Sequence, residues 1–416
     1  PLEFEHEGAS SRLTDMADLW LEHDRPIRRP VDDSVVRIIA GRVAVLRLAR
    51  GFAPLPLEVQ SPTPLLAVGG HQKAAVALSN GEQAVLGPHV GDLDSVAERE
   101  RWEIQIADLL GLYGSSPSLF AGDRHPDYAS TLWATQQKLR FVTVQHHHAH
   151  VVAGMIEHRW LDRTVLGAAF DGTGFGDDGT VWGGEFLMAS ATGFRRVGHL
   201  LPFSLPGGDR AIREPWRVAV SLVQRAAGSE RASSMAFQAG SSHSLLPLIG
   251  NPHFSSTTTS AGRLFDGIAA LVLNVEFAQF EGKGPMLLEA ICDRSAVGCY
   301  TMRLNNTEPF VLDWRPAVVR VLEDLRAAVA PGVIAMRFHR GLAQAIFEAT
   351  LRFPHMPLVL SGGCFQNRLL VELLMELFDQ TGQIVGTPGL IPMNDGGLAA
   401  GQLAVASALL FDSKGW

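Results

Sequence analysis

The feature that most limits how this chain can fold is a strand-and-glycine pattern that occurs twice. Leu65-Leu66-Ala67-Val68-Gly69-Gly70 reads as a buried strand ending in glycines. Lys73–Leu78 and Gln83–Leu86 follow it, joined through Asn80-Gly81, a pair that suits a type I′ hairpin turn. Val165–Phe170 reads as a second buried strand, ending in Asp171-Gly172-Thr173-Gly174-Phe175-Gly176, with Trp182–Ala189 and Arg195–Leu200 as the next two strands. A sheet-forming unit that recurs in one order implies a duplication of topology, though not of close sequence.

The remaining segments complete two halves. The first continues with an amphipathic helix over Ser95–Leu112, a strand near Leu119, the turn Asp123-Arg124-His125-Pro126, a helix to Lys138, the strand Phe141–Val144 and a helix ending near His158. The second is interrupted by a mostly helical section, Gly207–Leu351. It resumes with the strand Leu358–Leu360, the turn Ser361-Gly362-Gly363, a helix over Phe365–Leu377, a strand at Ile384-Val385 and a final helix, Gly397–Leu410. Two βββαβα halves around a cleft describe an α/β fold, the duplicated RNase H-like architecture of actin-like (ASKHA) ATPases. The expected lobes are 65–163 and 164–206 with 352–416, and the insert is 207–351. Ahead of them, a helix over Leu13–His23 and a strand pair ending at Leu46–Phe52 are too little to bury a core. Residues 1–57 are therefore expected to be the tail of another domain, and 58–64, with Pro62 and Pro64, a linker. Arg29, Asp32, Asp33, Ser34, Arg47 and Arg50 suit a phosphate-bearing ligand, and equally a solvated surface.

Composition narrows the function. The 416 residues are 46% hydrophobic and 19% charged with a formal net charge of −8, which gives no basic footprint for nucleic acid or an anionic membrane. No apolar run approaches the length of a membrane helix, and the acidic N-terminus has no signal-peptide core, which points away from export. The 3 cysteines, Cys292, Cys299 and Cys364, form no C-x-x-C pair. An odd count without that spacing fits a reducing cytoplasm and leaves no Cys-type zinc site.

Chemistry concentrates in a few strings. In Val144-Gln145-His146-His147-His148-Ala149-His150, a helical backbone puts His146 and His150 one turn apart on one face, a metal-ligand spacing that an exposed polar helix start would also produce. Asp171 stands where an open α/β sheet binds ligands, and Gly172-Thr173-Gly174 allows close backbone approach to phosphate or a plain turn. Ser361-Gly362-Gly363 leads into a helix whose first turn carries Gln366 and Asn367, open to an anion or a base edge. Asp395 reads as a cap or as a second carboxylate delivered to the cleft. Two imidazoles and two carboxylates form an N/O set suited to Fe(II), Zn(II) or Mn(II). In the insert, Asp266 and Glu281 lie near glycines, as ribose acceptors or as surface charges. The spacer His147-His148-Ala149 lacks the glutamate of an H-E-x-x-H metalloprotease.

Together these strings resemble the hydrogenase-maturation carbamoyltransferase family, HypF. The resemblance rests on His146-His147-His148-Ala149-His150, Phe170-Asp171-Gly172, Trp182-Gly183-Gly184-Glu185, Leu205-Pro206-Gly207-Gly208-Asp209, Gly262-Arg263-Leu264-Phe265-Asp266, Ser361-Gly362-Gly363 and Asp395-Gly396-Gly397, in one order. It implies a carbamoyltransferase domain from Leu65 onward, preceded over 1–57 by the end of a YrdC-like adenylating domain. It implies one divalent metal, Fe(II) or Zn(II), on His146, His150, Asp171 and Asp395. ATP or carbamoyl-adenylate would contact Gly172, Thr173, Asp266, Gly362, Gly363 and Asn367. Carbamoyl phosphate and ATP would give carbamoyl-adenylate, and the carbamoyl group would pass to the C-terminal cysteine thiolate of the partner HypE, the source of cyanide for [NiFe] hydrogenase. An O-carbamoyltransferase acting on a small-molecule hydroxyl, and a non-enzymatic nucleotide-dependent scaffold, are the competing readings.

Overall fold

Two mixed sheets of matching strand order carry the molecule. The structure, a computed structural model, describes residues 6–413 other than 17, 22 and 23. The first sheet runs Leu55–Leu57, Ala84–Leu86, Ala77–Ser79, Leu65–Ala67, Leu119–Asp123, Arg140–Val144. The last three strands are parallel and the others antiparallel. The second runs Arg303–Leu304, Phe310–Asp313, Phe194–Leu200, Val181–Ala189, Val165–Phe175, Leu358–Ser361, Val385–Gly386, with the pair Phe203–Pro206 and Ser255–Thr258 at its side. In each, the third, second and first strands of the unit lie in that order and two parallel strands follow. This is the duplicated RNase H-like arrangement of actin-like ATPases. Among the described residues no helix is long and apolar enough to cross a membrane.

Three sequence expectations need correction. The strand Val165–Phe175 does not stop before Asp171; it runs on, and its pairing with Val181–Ala189 is irregular between Trp182 and Gly184. Asp171 and Gly172 thus sit on a bulged stretch of strand, and the turn proper is at Gly176–Thr180. Within the mostly helical insert, Ser255–Thr258, Arg303–Leu304 and Phe310–Asp313 extend the second sheet. Leu55–Leu57, assigned by sequence to the N-terminal tail, pairs with Ala84–Leu86 as the edge of the first sheet. Finally, the helix expected over Leu13–His23 is replaced by a helix at His6–Arg12 and a short 3-10 turn at Thr14–Met16; residues 17, 22 and 23 lie outside the described residues. Leu19 and Leu21 are 88% and 99% exposed, so the apolar pattern there has no surface to bury against and no packing energy to hold a helix.

Between the sheets, helix His146–Glu157 packs against the final helix, Leu398–Ser413, in a shared apolar core. The approach is close enough to require glycine. A Cβ at Gly401 would lie 1.9 Å from the carbonyl oxygen of Ala149, one at Gly154 would lie 2.4 Å from Val359, and one at Gly167 2.3 Å from Val151. Gln402 ties the final helix to the first sheet through both ends of its amide, on the N–H and the carbonyl of Gly69. Gly401→Ala should therefore force the two helices apart and destabilise the protein by about 1–3 kcal/mol, the usual overpacking cost. Thermal melting checks it, against the half-buried Gly193→Ala as a neutral control, where an added Cβ meets nothing within 4 Å.

Candidate active site

The helix His146–Glu157 begins directly at the end of the parallel strand Arg140–Val144, with Gln145 as its cap: the Gln145 side chain accepts the N–H of His148. That fixes the helix start and drives the first turn, with all four histidines, into the interior. His148 Nε2 meets the carbonyl of Ser190 at 2.8 Å. His147 packs beside Trp182, and burial, with the charge of His146 next, holds its pKa well below the usual range. Gly174 makes room for the rings: a Cβ there would lie 2.4 Å from His147 and 2.8 Å from His146. The last glycine of Asp171-Gly172-Thr173-Gly174 thus serves ring packing, not phosphate.

His146 and His150 converge with the two carboxylates. His146 Nε2 lies 3.3 Å from Asp171 Oδ2 and 3.8 Å from Asp395 Oδ1; His150 Nε2 lies 3.1 Å and 3.5 Å from the same atoms. One ligand atom from each residue falls within 4.8 Å of all the others. Ligands at about 2.0–2.2 Å from an ion are roughly 3.4 Å apart when tetrahedral, and the four imidazole–carboxylate separations bracket that spacing. Asp171 is further oriented by the N–H of Gly363, which donates to its Oδ1 at 2.9 Å.

Electrostatics agree with the spacing. Burial opposes charge on His146, His150 and Asp171. The Asp123, Asp171 and Asp395 carboxylates nevertheless raise the His146 pKa well above its usual value, and Asp171 and Asp395 raise that of His150. The two imidazoles in turn hold Asp171 well below the usual carboxylate range. The carboxylates thus favour positive charge among them, and an N/O donor set of this kind could hold Zn(II) or Fe(II). Asp123 is the supporting residue that sequence reading took for a turn. Its Oδ2 accepts from His146 Nδ1 at 2.7 Å, which keeps the proton on Nδ1 and leaves Nε2 as the donor atom. Its place at the C-terminal end of a parallel strand was the available signal. His150 has no equivalent support, since its Nδ1 is buried without a partner.

Asp171 and Asp395 also line a cavity of 220 Å³. Gly172, Gly363 and Asn367 line it too, whereas Thr173, Gly362 and Asp266 do not. Gly362 is needed for its positive φ of 97° and because a Cβ there would strike the carbonyl of Phe170 at 2.3 Å. The N–H groups of this turn do not face a phosphate: Gly362 donates to Met393 and Gly363 to Asp171. Asn367 caps the next helix, its Oδ1 accepting from Leu370 N–H and its Nδ2 meeting His339 Nε2 at 2.8 Å. Asp266 is buried beneath the wall in a 3.1 Å pair with Arg263. Arg37, Lys73, Arg263, Glu281 and Glu289 are lining residues that sequence reading did not assign to the site, although Glu281 had been singled out. Lys73 hydrogen-bonds Glu281; burial opposes its charge, but Glu281, Asp395 and Asp171 raise its pKa above the normal range. Arg37 arrives from the N-terminal hairpin and forms a two-pronged pair with Glu289 at 2.7 and 3.0 Å.

Comparison with known proteins bears on this geometry. The family described as HypF Kae1-like domain matches residues 60–157, and the carbamoyltransferase Kae1-like domain, second subdomain, matches 167–402. Carbamoyltransferase HypF of Synechocystis sp. is 38% identical over 95% of this chain and 54% of its own length. A carbamoyltransferase HypF homolog of Cupriavidus necator is 33% identical over 83% of this chain and 91% of its own. The crystal structure of full-length HypF in its phosphate- and nucleotide-bound form matches with a TM-score of 0.91 and 33% identity, over 98% of this chain and 54% of that one. The chain spans about half the length of most of the curated relatives it matches.

Asp123→Asn keeps the size of the side chain but weakens its hold on the His146 tautomer. It should lower Zn(II) or Fe(II) affinity about 10- to 100-fold. Metal content after dialysis against graded chelator measures this.

Proposed function

The chain belongs to the HypF carbamoyltransferase family, and from that premise we propose that it transfers a carbamoyl group from carbamoyl-adenylate to the C-terminal cysteine thiolate of HypE. The observation that carries the reading is that two carboxylates of a ready-made ligand set, Asp171 and Asp395, are also walls of the cavity that holds Gly172, Gly363 and Asn367. Metal chemistry and ligand binding then share one floor. The cavity is smaller than the usual small-molecule pocket, so a nucleotide seated here extends out of its mouth.

His146, His150, Asp171 and Asp395 would hold the divalent ion. When bound, that ion supplies Lewis-acid polarisation of a carbonyl or phosphate oxygen. In the transfer, the thiolate sulfur forms a bond to the carbamoyl carbon, the carbon–oxygen bond to phosphate breaks, and AMP leaves with that electron pair. The protein's share is positional. Asp171 is clamped by Gly363, His146 is oriented by Asp123, and Lys73, paired with Glu281, keeps its positive charge at the cavity edge. The buried wall limits access of water that would hydrolyse the adenylate. Cys364 lines the cavity, but burial, with the Asp171 charge next, pushes its thiol far above the range of a nucleophile, which leaves the attacking sulfur to the partner.

Carbamoyl-adenylate would arise from carbamoyl phosphate and ATP, with the residues ahead of Leu55 belonging to the YrdC-like adenylating part. Arg37, within that stretch, lines the cavity and bonds Glu289, which supports this reading. With preformed carbamoyl-adenylate and HypE, mass spectrometry should detect the carbamoyl adduct on the HypE terminal cysteine. His146→Ala should reduce its formation at least about 100-fold through loss of a metal ligand and of the charge stabilisation it supports. A full adduct yield from metal-free or His146→Ala protein contradicts the metal-dependent reading, and an adduct on a small-molecule hydroxyl in place of the cysteine favours the O-carbamoyltransferase.

A further inference from the structure

The glycine turns leave the cavity without an obvious anion holder. The N–H groups of Gly362 and Gly363 are used by Met393 and Asp171, and Lys73 is paired with Glu281. Arg263 is different. It lies in the first turn of helix Ala261–Leu273, whose N-terminus is capped by Ser260, and its side chain is 2% exposed. Of its three guanidinium nitrogens only Nη2 has a partner, Asp266 at 3.1 Å; Nε and Nη1 are buried with none. A buried cation with unmet N–H groups is costly, and evolution tolerates it where a ligand completes the set. The helix start also crosses the Asp171–Gly172 strand at glycine distance: a Cβ at Gly262 would lie 2.8 Å from the Gly172 Cα, and one at Gly172 would lie 3.5 Å from Arg263 Nη2. That puts the guanidinium beside the ligand set, along the cavity wall.

We propose that Arg263, and not Asp266, is the residue of this helix that meets the nucleotide, its unpartnered Nη1 donating to a phosphoryl oxygen while Asp266 orients the guanidinium through Nη2. The inference rests on the nucleotide reading of the cavity given above. The helix N-terminus adds a favourable dipole for the same anion. Burial raises the Asp266 pKa to about 6 against the opposing pull of Arg263, with Glu281 adding to the rise, so at neutral pH the carboxylate is still mostly ionised and can hold the guanidinium in place. A ribose acceptor would need an oxygen in the cavity. Asp266 offers none there, and Glu281 occupies the lining position between Lys73 and Gly172.

Calorimetric titration of the metal-loaded chain with ATP and, separately, with adenosine tests this. Arg263→Gln removes a charged donor and should weaken ATP about 10- to 100-fold, while adenosine changes less than about threefold. Arg263→Lys, which keeps the charge but loses the fork, should give about a tenfold loss for ATP only and stands in if the glutamine variant does not fold. Asp266→Asn should affect ATP less than Arg263→Gln and leave adenosine unchanged. ATP affinity unaltered in either Arg263 variant overturns the proposal, as does an equal loss of ATP and adenosine in Asp266→Asn, the signature of a ribose contact. If the unaltered protein binds neither ligand, the nucleotide reading itself fails and this inference falls with it.

Discussion

Everything at the centre of this molecule depends on helix His146–Glu157 being pressed against its surroundings at glycine-only distances. Gly401 faces Ala149, Gly154 faces Val359, and Gly167 faces Val151, so the helix can neither rotate nor retreat without opening the core between the sheets. The hydroxyl of Ser361 donates to the His150 carbonyl at 2.6 Å and pins the strand from which the Gly362-Gly363 turn emerges to the same helix. Rigid backbone is what allows four side chains from three distant segments to meet at ligand spacing. It also explains why four adjacent histidines can be buried at all: each ring is met by a wall, Asp123, Trp182, Ser190 or the carboxylates.

The duplicated topology decides where the chemistry sits. In each half, parallel strands end on the side facing the other half, and functional residues come from those ends: Asp123 and the histidines from the first sheet, the Ser361 turn from the second. Asp171 departs from this rule in an instructive way. Its strand continues through the site on a bulge, which turns the carboxylate into the cleft while the strand still pairs beyond it. The charges form a nested arrangement, with a carboxylate-rich ligand set at the floor and Lys73, Arg37 and Arg263 above it, each held by its own acid. Such pairing keeps a strongly charged cavity intact before any ligand arrives.

Much of this was legible in the sequence, for identifiable reasons. Strand order, the hairpin around Asn80-Gly81 and the final helix follow from periodicity, which is local. The hairpin closes through a four-residue loop, 80–83, with positive φ at Gly81 alone, and not through a type I′ turn. His146 and His150 follow from helical spacing, and the two aspartates from their strings and the family resemblance. What stayed hidden is what depends on contact across the fold. Asp123 reads as a turn residue until His146 is seen beside it. Lys73 carries no local signal. Arg263 and Asp266 stand three residues apart in one string, and only the packing of their helix decides which faces the cavity. Gly174 and Gly362 look like phosphate-loop glycines yet serve ring packing and a close strand crossing. The helix expected over Leu13–His23 failed for the converse reason: a local pattern without a surface to cover.

The central claim is that one divalent ion sits on His146, His150, Asp171 and Asp395 at the floor of the nucleotide cavity. The most direct test is anomalous diffraction from crystals grown with stoichiometric Fe(II) or Zn(II), recorded on either side of the metal edge. The account predicts a single strong peak within about 2.0–2.2 Å of both Nε2 atoms and of an oxygen from each aspartate. A peak elsewhere with these four side chains unoccupied, or none at full metal loading, would contradict it.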